Sequence, residues 1–82
     1  MGIQADAKKI LRHLLDLAIE NGDLEYQSDL DYGSLGKIVG FNADYCKVCC
    51  QYLDGKGAVR VSCDDLSRSI WLTAYGVDLL EG

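Results

Sequence analysis

The sequence lacks long hydrophobic runs, since its longest apolar stretches are only a few residues. A membrane-spanning helix needs about 20 consecutive apolar residues, so none is expected. The first six residues, Met-Gly-Ile-Gln-Ala-Asp, contain neither a basic segment nor a continuous apolar one, which argues against a signal peptide. We therefore expect a cytoplasmic protein that does not contact a membrane.

Basic residues are scarce, because 8 Lys and Arg stand against 13 Asp and Glu, for a net charge of −5. Proteins that bind nucleic acids usually show a basic surface, so this balance weighs against such a function. The acidic residues are unevenly placed, however. Residues 21–32 contain four acidic residues and no basic one, whereas residues 42–72 contain four of each sign. The excess of negative charge therefore lies outside residues 42–72.

Histidine occurs once, as His13, and no serine or cysteine nucleophile stands near it in the sequence. Nucleophilic catalysis needs a nucleophile, a base and an orienting group together. A lone histidine is more often structural, so we do not expect an enzyme.

The chain has one Cys-x-x-Cys motif, Cys46 to Cys49, followed by Cys50 and Cys63, and it lacks a second such motif. A metal site is the alternative that this cluster raises. The three neighbouring cysteines and Leu53, however, fall at i, i+3, i+4 and i+7, which is the spacing of a buried helical stripe. Free cysteine packs as a small hydrophobic residue. We favour core packing and expect neither a metal nor another cofactor.

At 82 residues the chain is expected to form one domain, 1–82. Apolar residues at helical spacing predict a first helix at about 3–21, with Ile19 in its apolar stripe and Gly22 after its end. The segment from Asp23 to Leu30 fits either a short edge strand or a connector.

A helix-turn-helix is predicted next. Asp31 can cap a helix at about 32–40 that buries Leu35, Ile38 and Val39, while Gly33 and Gly36 each weaken it by about 1 kcal/mol relative to alanine. Gly40 permits the chain to reverse, and Asn42 can cap a helix at about 43–54.

A hairpin is predicted at about 58–73, because Val59 and Val61 alternate with polar residues and the segment Ser69 to Thr73 returns after a polar turn. Trp71 is expected to pack this hairpin against the core or against a partner. Thr73 can cap a last helix at about 74–81, which buries Val77 with Leu79 or Leu80.

Three segments together resemble the winged helix-turn-helix superfamily, in the style of small prokaryotic MarR-like and PadR-like regulators: Leu35–Asn42, Leu53–Val59 and Trp71–Leu80. The resemblance implies an α+β fold with a three-helix core, a two-stranded wing and a short C-terminal helix. It also implies that the third helix enters the major groove of double-stranded DNA and that the hairpin tip, Asp64 to Ser69, touches the minor groove or phosphates. Homodimerisation through the first or last helix is a further implication.

Two functions remain open. The first is a DNA-binding domain of a small transcriptional regulator, for which the resemblance implies contacts by Tyr45, Lys47, Gln51, Arg60 and Arg68. The second is a winged helix that binds another protein through Val48 and Tyr52, expected one turn apart on the outer face of the third helix, since apolar residues exposed there favour a protein contact. The tyrosines and Trp71 do not indicate a single-strand stacking surface, because the interleaved basic residues that it needs are absent.

Overall fold

The computed structural model describes residues 2–64 and 67–82. In these residues helices and strands follow one another in the predicted order. The elements are α1 (Ile3–Asn21), β1 (Ser28–Asp29), α2 (Tyr32–Val39), α3 (Ala43–Lys56), β2 (Val59–Cys63), β3 (Arg68–Leu72) and α4 (Ala74–Glu81). None of these helices is long and apolar enough to cross a membrane.

Local capping signals set most of the helix ends. The Asn42 side chain accepts a hydrogen bond from the Tyr45 backbone N–H, and Thr73 accepts one from Gly76, so both predicted caps are confirmed. The C-terminal end of α3 was predicted two residues too early. Gly55 stays helical, and the left-handed residue that stops the helix is Gly57, with φ of 81°.

The three strands form one antiparallel sheet in the order β1-β3-β2. In β1, Ser28 and Asp29 pair with Ile70 and Ser69, so the edge-strand alternative for this segment is correct. The remainder of the segment between α1 and α2 runs as turn and coil. The hairpin of β2 and β3 is therefore supported on one side by a short strand and packs its apolar face on the helices.

The core lies between α1, α3 and the inner face of the sheet. Its most deeply buried side chains come from all three: Ile10, Leu11, Cys46, Cys49, Cys50, Leu53, Val59, Ile70 and Leu72. The helix α4 covers one side with three partly buried residues, Val77, Leu79 and Leu80. The predicted core role of the three helical cysteines is thus confirmed.

Two predicted core residues are exposed. Ile38 is 62% exposed, because the short helix α2 turns Leu35 and Gly36 into the core and leaves Ile38 on its flank. Ile19 is 69% exposed in the last turn of α1, where Ala18 is the residue that turns inward. Val39 is half-buried, as a residue at the edge of the apolar stripe should be.

Candidate nucleic-acid interface

The turn between α2 and α3 is held close to α2 by backbone contacts. The Gly36 carbonyl accepts hydrogen bonds from both Gly40 and Phe41, each at 2.7 Å. A Cβ atom on Gly36 would lie only 2.5 Å from the Phe41 carbonyl oxygen. Gly40 adopts a left-handed conformation with φ of 92°, which glycine tolerates without strain. Glycine at position 36 is therefore required by the close approach of the turn, whereas the sequence pattern marked it only as a weak helix former.

The outward face of α3 carries exposed polar side chains beside one apolar residue. Asp44, Lys47 and Gln51 are exposed, and Val48 is 49% exposed between them. Lys47 and Gln51 are four residues apart, which places them one turn apart on neighbouring parts of the helix surface. This face can donate hydrogen bonds through an ammonium and an amide group.

Tyr45 lies on the flank of α3 that faces α1. Its hydroxyl donates a hydrogen bond to the Asp6 carboxylate at 2.5 Å, and its ring meets Phe41 edge to face at a centroid distance of 5.0 Å. The hydrogen bond to Asp6 raises the pKa of Tyr45 to about 12. Through this hydrogen bond, the half-buried Tyr45 side chain links the N-terminal end of α3 to α1. Asp6 is 39 residues away, and no local sequence signal points to this contact.

Tyr52 is also half-buried and lies on the same flank of α3 as Tyr45. It borders a cleft of about 490 Å³ between α1, α3 and α4, with Lys8 and Leu79 among the other lining residues. The Lys56 ammonium lies 5.7 Å from the centroid of its ring. Of the predicted pair on the outer face of α3, Val48 is exposed, whereas Tyr52 is only partly exposed and borders this cleft.

Successive side chains of β3 alternate between the core and the outer face of the sheet. Ile70 and Leu72 are buried, whereas Trp71 between them is half-buried on the opposite face. Trp71 pairs with Arg60 across the two strands, and Arg60 is exposed. The outer face of the hairpin therefore presents a guanidinium beside an aromatic ring.

Arg68 begins β3 at the tip end of the hairpin, where it pairs with Cys63, and it lies close to the N-terminal ends of α2 and α3. It lines a cleft of about 310 Å³ with Tyr32, Gly33 and Ala43 among its neighbours, and its guanidinium carbon is 6.0 Å from the Tyr32 ring centroid. The fold thus brings the cation of β3 next to the first residue of α3. Of the two aspartates predicted in the hairpin tip, Asp64 donates its backbone N–H to the Ser67 carbonyl at 2.7 Å, while Asp65 falls outside the described residues.

Asp31 introduces a negative charge beside Arg68. It lines the same cleft, accepts a hydrogen bond from the Ser34 hydroxyl at 3.0 Å and caps α2 through the Gly33 N–H at 3.0 Å. These bonds, with a smaller contribution from Arg68, lower the pKa of the Asp31 carboxyl. The carboxylate is therefore charged at neutral pH and offsets part of the positive field of Arg68.

The cysteines are divided between the core and the hairpin. Cys46, Cys49 and Cys50 are buried, and burial raises the pKa of each thiol, that of Cys50 to about 12. Cys63 is exposed at the end of β2. Within residues 2–64 and 67–82, no group of three or more His, Cys, Asp or Glu side chains is arranged to hold a metal ion.

Comparison with known proteins identifies the fold. No model of a known protein family matches the sequence, and no curated protein matches it. Among solved structures, the chain is similar to a transcriptional regulator of the MarR family from Silicibacter pomeroyi, with a TM-score of 0.71 and 20% sequence identity. The chain is a winged helix.

The match extends over 99% of this winged helix but over only 48% of the regulator. The chain thus spans about half the length of that protein. In the winged helix, α2 and α3 form the helix-turn-helix, and β2 and β3 form the wing. The outward face of α3, together with Arg60 and Arg68 of the wing, is hereafter called the α3–wing surface.

Proposed function

We propose that this winged helix binds double-stranded DNA through the α3–wing surface, as the DNA-binding domain of a transcriptional regulator in the cytoplasm. The observation that carries the proposal is the exposed face of α3, which presents Lys47 and Gln51 on a helix fixed at both ends. The similarity to a MarR-family regulator supports the same function. In helix-turn-helix proteins the second helix of the motif lies in the major groove.

Each exposed donor has a chemically suitable target on DNA. The Gln51 amide is able to pair with the N6 and N7 edge of adenine, and Lys47 can donate to guanine or to a phosphate. Arg60 and Arg68 supply guanidinium groups to phosphates or to the minor groove. Tyr45 has its hydroxyl engaged by Asp6, so we assign it the role of holding the N-terminal end of α3 in position.

The small number of cations predicts weak binding that depends only modestly on salt. Three cations, Lys47, Arg60 and Arg68, lie on the α3–wing surface of one copy. If each neutralises one phosphate, the logarithm of the binding constant falls with the logarithm of salt concentration with a slope of about −3. A homodimer on a palindromic site would double this slope, so two copies offer a route to useful affinity for a chain of net charge −5.

Fluorescence anisotropy with a labelled mixed-sequence duplex tests the proposal. Changing Lys47→Ala together with Arg68→Ala should weaken binding and reduce the salt slope by about 2. The matched control is Lys8→Ala with Lys56→Ala, because it removes the same charge from the cleft between α1, α3 and α4. Equal losses in the two double variants would show that only net charge matters and would refute the assigned surface.

A second candidate function, the binding of another protein, is favoured by one observation. Val48 is 49% exposed in the middle of the face that would enter the groove. An apolar residue there suits a protein partner, for which net negative charge is no obstacle. A partner whose binding is lost on Val48→Ser, together with no response of the wild-type chain to DNA, would establish this function in place of the first.

A further inference from the structure

The backbone of Arg68 is held from two sides. As the first residue of β3 it pairs with Cys63 of β2, and its carbonyl accepts a hydrogen bond from the Leu30 N–H at 3.0 Å. Leu30 directly precedes Asp31, the residue that caps α2. The backbone of Arg68 therefore lies between the wing and the segment that leads into α2. An arginine side chain retains much rotamer freedom, so the backbone alone does not fix the guanidinium.

The side chain of Arg68 lies on the helix side of the sheet. Alternate residues of a strand share one face, and Ile70 and Leu72, which follow Arg68 at intervals of two, are buried. The guanidinium accordingly reaches α2, where its central carbon lies 6.0 Å from the centroid of the Tyr32 ring. At this distance a guanidinium is attracted to the face of an aromatic ring. Tyr32 therefore holds the end of the side chain, which the backbone contacts do not reach.

Tyr32 is held in place by α2 and by the core. It is the first residue of α2, and the Asp31 carboxylate caps the same turn through the Gly33 N–H at 3.0 Å. The Tyr32 side chain is half-buried and packs against the core. Burial raises the pKa of its hydroxyl, so the phenol stays neutral at physiological pH. The ring is therefore a fixed and uncharged support for the guanidinium.

The charge of Arg68 is left for an external anion. The cleft beside it is bordered by two residues with little or no side chain, Gly33 and Ala43, and Ala43 begins α3. Asp31 also borders this cleft, but its carboxylate accepts hydrogen bonds from residues of α2. In the described part of the chain, no carboxylate forms an ion pair with Arg68. Because a cation–π contact orients a guanidinium without neutralising it, Arg68 presents its full charge beside the first turn of α3.

We propose that Tyr32 is a positioning residue for DNA binding, whose ring holds the Arg68 guanidinium beside the first turn of α3, where it meets a phosphate of the DNA backbone. This role rests on the proposed function and adds to it a residue outside the α3–wing surface. A guanidinium that is already oriented loses less conformational freedom when it binds, and this preorganisation increases affinity. Its planar N–H donors match the geometry of a phosphate. Tyr32 acts through Arg68.

A double-mutant cycle tests this role, with fluorescence anisotropy of the full chain and a labelled mixed-sequence duplex at low salt. Tyr32→Leu should weaken binding about two- to fivefold, which is the range of an exposed cation–π contact. Added to Arg68→Ala, the same change should cause no further loss, because the group that Tyr32 positions is gone. Tyr32→Phe keeps the ring and should bind DNA as the wild-type chain does.

The matched control is Tyr52→Leu. It removes the same kind of contact, with the Lys56 ammonium at 5.7 Å, on the side of α3 that borders α1 and α4. It should leave DNA affinity unchanged, and circular dichroism should show that the variants are folded. Wild-type binding that is weakened by Arg68→Ala but indifferent to Tyr32→Leu would overturn the role of Tyr32 alone. A wild-type chain that does not bind the duplex would refute the proposed function and this role with it.

NMR of the wild-type chain provides a test even if Tyr32→Leu does not fold. In the absence of DNA, the Arg68 side-chain protons nearest the guanidinium should be shifted upfield by the ring current of Tyr32. The same signals should move when the duplex is added, because the guanidinium then meets a phosphate. Arg68 signals without the upfield shift, or signals that do not respond to DNA that binds, would overturn the proposal.

Discussion

Replacement of Gly36 by alanine separates the helix propensity of α2 from its packing. Alanine is favoured over glycine inside a helix by about 1 kcal/mol, so propensity alone predicts that Gly36→Ala stabilises the chain. The structure predicts the opposite sign. The new Cβ would lie 2.5 Å from the Phe41 carbonyl oxygen and 3.3 Å from that of Asn42. Both atoms belong to the backbone of the turn, so neither can move aside as a flexible side chain would.

The size of the effect follows from these two opposing contributions. Overpacking costs typically about 1–3 kcal/mol, and a rigid backbone neighbour places this case near the upper end. Subtracting the gain in propensity leaves a net loss of about 2 kcal/mol. For a chain of 82 residues this corresponds to a fall in Tm of about 12 °C.

Urea denaturation followed by circular dichroism measures this change, and Gly55→Ala is its control. Gly55 is helical in α3, and an added Cβ there meets no atom within 4 Å. We therefore expect Gly55→Ala to stabilise the chain by about 0.5–1 kcal/mol. If Gly36→Ala were as stabilising as Gly55→Ala, the close packing of the turn against α2 would be refuted.

Three further predictions concern the contacts that hold the α3–wing surface. The pKa of Tyr45 is raised to about 12, so its hydrogen bond to Asp6 should stabilise the fold fully below pH 10. This stabilisation should be lost as the pH rises toward 12. In thermal melts, Tyr45→Phe should abolish this alkaline dependence. Thr73→Val should lower the free energy of unfolding measured in urea by about 1–2 kcal/mol. It removes the cap of α4 and the hydrogen bond from the Thr73 hydroxyl to the Gly57 carbonyl at 2.7 Å. Thr73→Ser keeps the hydroxyl and should lower the free energy of unfolding far less. A disulfide reagent at pH 8 should titrate Cys63 rapidly and the three buried thiols only after denaturation; fast reaction of all four would contradict the burial of the core cysteines.

Local signals were sufficient to predict most helix and strand positions. Asn42 and Thr73 act as caps within three residues of the N–H groups that they bind, so their role depends on the sequence nearby and not on the rest of the fold. The alternation of Val59 and Val61 likewise indicated the hairpin, because a strand places every second side chain on one face. These features combine into the order of elements that the winged helix resemblance implied.

Features that depend on distant parts of the chain were not predictable. Tyr45 matches the spacing of an outward residue of α3, yet Asp6 of α1 draws its hydroxyl to the flank. Tyr52 is half-buried because α1 and α4 border that side of α3. Ile38 has a suitable spacing for the core of α2 but is exposed, because the Gly36 side of the helix makes the close contact. The exposure of each of these side chains depends on which helices and strands pack against its own helix. The periodicity of apolar residues within one helix does not indicate which elements those are.

Titration of isotope-labelled protein with a mixed-sequence DNA duplex at low salt tests the proposed function most directly. DNA binding by the α3–wing surface predicts amide shifts confined to residues 42–52 and 60–69, which include most of α3 and part of the wing. These shifts should fade as salt is raised. An absence of shifts, or shifts centred on α1 and α4, would contradict DNA binding by the α3–wing surface.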